Sequence, residues 1–98
     1  MSKDLREYQV ILRDNQKFLA KAYNVRRLGI FGSFVNGRPS KKSDVDILVE
    51  LAEPMGLLRF VELEQYLSKT LDRKVDLATK EALKPAIKGA VLKDLVYV

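Results

Sequence analysis

The chain has 98 residues, 47% of them apolar and 32% charged, with 18 basic against 13 acidic side chains and a formal charge of +5. That composition predicts one small globular domain spanning residues 1–98, with a modest core. Cysteine and histidine are both absent. This excludes a disulfide framework, a thiolate metal centre and the commonest general base, and leaves any acid–base or metal chemistry to carboxylates.

Met1-Ser2-Lys3-Asp4 opens a polar segment with no apolar signal core behind it, so the expected location is the cytoplasm. Residues 3–23 carry Leu5, Tyr8, Leu12, Leu19 and Ala22 at helical spacings. Ile11 and Phe18 widen that stripe, and charged residues fill the gaps, which predicts one amphipathic helix with Ser2 as its N-cap. Val25 to Phe31 reads as a first strand stopped by Gly32. Ser33 to Asn36 fits one short helical turn with Gly37 as its left-handed terminator, and Arg38 to Ser43 is a polar loop. Asp44 to Leu51 reads as a second strand. Val45, Ile47, Val49 and Leu51 fall on one face, and Asp44, Asp46, Leu48 and Glu50 on the other. Its apolar run is far too short to cross a bilayer.

Pro54 and Gly56 punctuate the next loop. Leu57 to Thr70 is a second long helix with Leu58, Val61, Leu63, Leu67 and Leu71 as its apolar positions. Lys74 to Ala78 is a third strand, and Thr79 caps a helical turn through Leu83. Pro85 suits the first turn of a last helix running to about Leu95. The apolar end Leu95-Val96-Tyr97-Val98 either packs on the sheet or forms half of a protein interface. The fold class is α+β, a small mixed β-sheet flanked by helices. Periodicity does not set its topology.

The chemistry gathers in Gly32-Ser33-Phe34-Val35-Asn36-Gly37 and Ser43-Asp44-Val45-Asp46. Gly32 lets a ligand approach its backbone, and the Ser33 amide, hydroxyl and helix dipole can together hold a phosphate. Gly-Ser is equally an ordinary turn after a strand. Asp44 and Asp46, two apart on a strand, project from one face and repel each other unless a cation sits between them. Mg²⁺ takes one or two carboxylates plus phosphate oxygens, and a pair of such ions activates an attacking oxygen and stabilises a leaving one. A solvated strand start gives the same pattern. Asp76 joins the pair if its strand lies beside the second. Otherwise it is plain alternation on a half-exposed strand. Arg38, Lys41 and Lys42 either meet triphosphate charge or keep the loop solvated. The basic residues are spread along the chain, and neither a helix-turn-helix nor a stacking-aromatic pattern accompanies them, so nucleic acid is not an expected partner.

Together these features resemble the DNA polymerase β-like nucleotidyltransferase superfamily, whose pattern appears here as Gly32-Ser33, Asp44-x-Asp46 and Asp76. The likeness is nearest to the minimal nucleotidyltransferases, the MNT or MntA antitoxins that pair with HEPN-domain toxins. It extends through Gly56-Leu57-Leu58, Arg73-Lys74-Val75-Asp76-Leu77 and Lys84-Pro85. The resemblance implies the nucleotidyltransferase fold. It implies nucleotide phosphates on Gly32 and Ser33, with Asp44, Asp46 and Asp76 as catalytic residues and ligands of two Mg²⁺ ions. It further implies transfer of AMP from ATP to a tyrosine of a HEPN toxin, the alternative being an antitoxin that neutralises its partner by binding alone. Many relatives carry arginine where this chain has Asn36, and Arg38 is the nearby cation that would serve the triphosphate instead. Larger relatives add a helical domain, so a partner protein is expected to complete the site.

Overall fold

The computed structural model describes residues 4–98. The predicted first helix is two helices, α1 (Leu5–Asp14) and α2 (Gln16–Tyr23). The break is at Asn15. Its side-chain amide donates to the Ile11 carbonyl at 2.8 Å, and its oxygen accepts from the Tyr66 hydroxyl at 2.8 Å. An asparagine that bonds backbone in this way competes with the helical ladder. Asp4 caps α1, its carboxylate accepting from the Glu7 amide at 3.0 Å. Ser2, the expected cap, lies outside the described residues.

The remaining elements are β1 (Val25–Phe31), α3 (Ser33–Asn36), β2 (Val45–Leu51), α4 (Leu57–Leu71), β3 (Val75–Thr79), a 3₁₀ turn (Lys80–Ala82), α5 (Pro85–Asp94) and β4 (Val96–Tyr97). The sheet order is β3-β2-β1-β4. β1 runs antiparallel to β2 and to β4, and β2 runs parallel to β3. A parallel pair needs a long crossover, which α4 supplies. The apolar C-terminus joins the sheet as β4. It adds a strand to β1, and the Val98 amide donates to the Leu28 carbonyl at 3.0 Å.

The core lies on one face of the sheet. Leu28, Ile30, Val45, Ile47, Val49, Val75 and Leu77 meet Tyr8, Leu12, Leu19 and Tyr23 of the first two helices there. From α4 the buried positions are Leu63, Leu67 and Leu71, four residues apart on one narrow stripe. Leu58, expected among the apolar core positions, is 88% exposed, and Val61 is also exposed. In the first turn Phe60, half-buried, packs against the core in their place. α4 also closes the outer edge of β3, where the Val75 amide donates to Ser68 Oγ and the Leu77 amide to a Glu64 carboxylate oxygen. An edge with its amides already bonded offers no template for another strand. Among the described residues no helix is long and apolar enough to cross a membrane.

The other sheet face is divided. At its β4 end Leu95 lies directly over Gly29, leaving no room for a side chain there. Tyr97 reaches across to donate its hydroxyl to Glu50 at 2.8 Å, under the Arg27 guanidinium. Gly29→Val is therefore expected to destabilise the protein by about 1–3 kcal/mol, measured by chemical denaturation. An unchanged midpoint would show that the C-terminal strand does not need this close contact.

Candidate active site

The uncovered half of that face holds the sequence-predicted residues. β1 ends at Phe31, which pairs with Asp46 of β2, and Asp46 in turn pairs with Asp76 of β3. Neighbouring strands sit about 4.8 Å apart, so Asp46 and Asp76 stand side by side on one face. Asp44 precedes β2 and makes a loose exposed ion pair with Lys74 at 3.9 Å. Asp44 at the start of β2, Asp46 within it and Asp76 of β3 thus share one end of the sheet, because β3 lies beside β2.

Gly32 brings the serine turn to the same place. Its backbone has φ +78°, a conformation that favours glycine. A Cβ there would run into the Asp46 carboxylate, lying 3.1 Å from Cγ. Glycine is thus required twice, by its dihedral and by its neighbour. Ser33 opens α3, and no side chain caps this turn, so its leading amides remain available to an acceptor. The amides of Val35 and Asn36 return to the Gly32 carbonyl at 3.0 Å. Gly37 ends the turn with φ +83°, as expected of a left-handed terminator.

Arg38 is placed differently from the other candidates. Its amide closes the turn by donating to the Ser33 carbonyl at 3.0 Å. Its guanidinium is exposed, with no hydrogen bond or ion pair among the described residues. Arg73 organises this region instead, and the sequence reading gave it no role. Its Nε donates to the Ser43 carbonyl at 2.7 Å and its Nη2 to the Ser40 carbonyl at 2.6 Å, while the guanidinium lies over the Phe34 ring. One side chain thereby ties the start of β3 to the loop that delivers Asp44. Its position directly before Lys74-Val75-Asp76 was the available signal.

Asp46 is half-buried and receives no hydrogen bond among the described residues. Burial, then the charges of Asp76 and Asp44, push its carboxyl up from 3.8 to about 6. A cation against this group would reverse that penalty. The donor set is all oxygen, which suits a hard ion such as Mg²⁺ over zinc or copper. Among the described residues no three acidic groups are arranged to hold an ion by themselves. That fits an ion held by one or two carboxylates and completed by phosphate oxygens and water.

This end of the sheet presents an open carboxylate row beside a Gly-Ser turn. The sequence matches the nucleotidyltransferase domain over residues 12–98. The chain is 46% identical over 94 residues to protein adenylyltransferase MntA of Thermococcus cleftensis, covering 96% of this chain and 95% of that one. A solved structure described as a candidate minimal nucleotidyltransferase superposes with a TM-score of 0.76 at 28% identity, over 96% of this chain and 95% of that one. A mutant form of the toxin–antitoxin MntA–HpeT superposes with a TM-score of 0.68 at 25% identity, over 99% of this chain and 72% of that one. The chain belongs to the nucleotidyltransferase-domain family, within the group of relatives that includes MntA.

The raised Asp46 carboxyl makes a testable statement about stability. The unfolded chain releases this proton near its ordinary value of 3.8, whereas the folded chain holds it to about 6. Folded protein therefore binds more protons in that window, and stability falls as pH rises through it. The loss is complete above the window and amounts to about 1–2 kcal/mol once partial exposure is allowed for. In metal-free buffer, Asp46→Asn is expected to be more stable than wild type by that amount at about pH 7.5, and to lose the advantage at about pH 4. Denaturant midpoints at the two pH values measure it. A difference independent of pH would remove the electrostatic explanation.

Proposed function

We propose that the 98 residues act as one minimal nucleotidyltransferase domain, an antitoxin that moves AMP from ATP to a tyrosine hydroxyl of a HEPN-domain toxin and so silences it. The observation that carries the reading is the contact between Gly32 and Asp46, which sets the Gly-Ser turn against the carboxylate row. Identity to a protein named as an adenylyltransferase, and likeness to MntA in a toxin–antitoxin pair, support it.

In this reading Gly32 and Ser33 receive the β and γ phosphates, with the Arg38 guanidinium as a neighbouring countercharge. Asp44 and Asp46, with Asp76, hold Mg²⁺, two ions in all. When bound there, the metal supplies charge neutralisation for the triphosphate and the departing pyrophosphate. Asp76 is exposed at the edge of the row, where a bulky acceptor has access. The acceptor oxygen bonds to the α-phosphorus, the bond from that phosphorus to the pyrophosphate oxygen breaks, and the hydroxyl proton passes to the Asp76 carboxylate. The protein lowers the barrier chiefly by positioning and charge. A domain this small does not enclose the reaction, and the docked acceptor protein excludes water in its place.

The test is to incubate the protein and a HEPN partner with Mg²⁺–ATP and to weigh the partner by intact mass spectrometry. Wild type is expected to add one or more AMP units. Asp44→Asn is expected to slow the transfer by about 10²–10³-fold or more, and EDTA to stop it. If Asp44→Asn neutralises the toxin fully while the partner stays unmodified, neutralisation works by binding and the catalytic reading fails.

A further inference from the structure

A cleft of about 1050 Å³ lies between α1 and the loop from Gly37 to Lys41, away from the carboxylate row. Its volume reaches the upper end of the range for ligand pockets. None of Ser33, Asp44, Asp46 or Asp76 lines it. We propose that this cleft is the docking site for an acidic segment of a protein partner, gripped by Arg6, Arg13 and Lys41. The identity of that partner rests on the protein-acceptor reading above, while the chemistry of the cleft stands without it.

Charge is the first argument. Arg6 and Arg13 line the cleft from α1, and Lys41 lines it from the loop. Seven residues apart, the two arginines share one helix face about 10 Å apart along the axis. All three cations are exposed, and none has an ion-pair partner among the described residues. Arg73, at the inner wall, is already committed to the Ser40 and Ser43 carbonyls. Among the described residues Asp4 is the one acidic group in the lining, and its carboxylate is engaged as the cap of α1. Glu7 and Asp14 of the same helix do not line the cleft. The described lining therefore presents three free cations with no competing free carboxylate.

The apolar lining decides between kinds of polyanion. Leu5, Val10 and Pro39 supply an aliphatic floor, and Val10 is 45% exposed with nothing to cover it. Among the described residues Phe34 is the sole aromatic in the lining, and it is only 7% exposed. The Tyr8 ring meets it edge-on at 5.3 Å, and the Arg73 guanidinium covers it at 4.9 Å. No aromatic face is left on which a nucleobase can stack, which argues against single-stranded nucleic acid. Carboxylates set between aliphatic side chains match both the rim and the floor. In an extended peptide, carboxylates two and four residues apart lie on one face about 7 and 13 Å apart, spacings that bracket the separation of the two arginines.

The placement also serves the chemistry. Phe34 follows Ser33 directly, and the loop that carries Lys41 runs on to Asp44. A partner seated here is anchored beside the nucleotide-facing turn while the sheet face stays open for the acceptor.

The experiment uses the full chain and a fluorescein-labelled eight-residue peptide alternating glutamate and leucine, titrated by anisotropy at low salt. Wild type is expected to bind it, with affinity falling about tenfold or more in the Arg6→Glu/Arg13→Glu double variant. Replacing the peptide's glutamates by glutamine, or raising salt, is expected to give a similar loss. Arg6→Gln/Arg13→Gln, which only neutralises the pair, is expected to lose less. Mg²⁺–ATP affinity is expected to stay within twofold in both variants. Equal peptide affinity in wild type and double variant would overturn the proposal. So would tighter binding of an oligothymidylate of the same charge, which would make the cleft a nucleic-acid site. Wild type that binds the peptide but transfers no AMP counts against the catalytic reading alone. Transfer without charge-dependent peptide binding counts against the cleft alone.

Discussion

The Asp46 carboxylate occupies the space that a side chain on residue 32 would fill. This one contact fixes how close the turn after β1 comes to the carboxylate row. It requires glycine at position 32, in a left-handed backbone that only glycine takes without strain. It also requires the β1–β2 register that puts Phe31 opposite Asp46, and the β2–β3 register that puts Asp46 opposite Asp76. A slip of one residue in either pair would turn the carboxylates into the apolar core. The buried alternation of β2 is thus what holds the site together. Val45, Ile47 and Val49 are shielded from solvent, so Asp46 has no choice of face.

Two carboxylates on that face respond to their surroundings in opposite senses. Glu50 accepts from the Tyr97 hydroxyl and from Arg27, and these partners hold it below the usual carboxylate range. Asp46, four residues earlier, has burial and two neighbouring negative charges, and is pushed up. The C-terminal strand makes the difference. Where Leu95 and Tyr97 cover the sheet, the polar groups are paired within the protein. Where they do not, Asp46 has no hydrogen-bond donor among the described residues and faces Asp76 and Asp44 instead. Unpaired charge of this kind is held by the fold against its own electrostatics and is characteristic of functional sites.

The loop between α3 and β2 is tied down from a distance. Arg73, just before β3, holds two of its carbonyls. The parallel crossover through α4 therefore does two things at once. It sets Asp76 beside Asp46 and anchors the segment that leads to Asp44. The loop's outer side meets α1 across the basic cleft, so the same few residues separate the carboxylate face from the proposed docking face.

Much of this was legible in the chain. The period-two pattern of residues 44–51 set the face of Asp44 and Asp46, and the order Gly-Ser, Asp-x-Asp, Asp pointed to the family. Those signals are local, because a strand's alternation and a glycine's dihedral depend on a few neighbouring residues. The helix break at Asn15 escaped the periodicity, since it lies in that side chain's own hydrogen bonds, one of them to Tyr66 51 positions away. The exposure of Leu58 escaped it too, because which face of α4 is covered depends on the distant elements packed against it. The C-terminal strand, the role of Arg73 and the cleft beside α1 are likewise products of long-range packing. The sequence by itself determined which residues carry charge and which way each strand faces. Only the tertiary structure decided which of those charges meet, because pairing across strands depends on register and crossover.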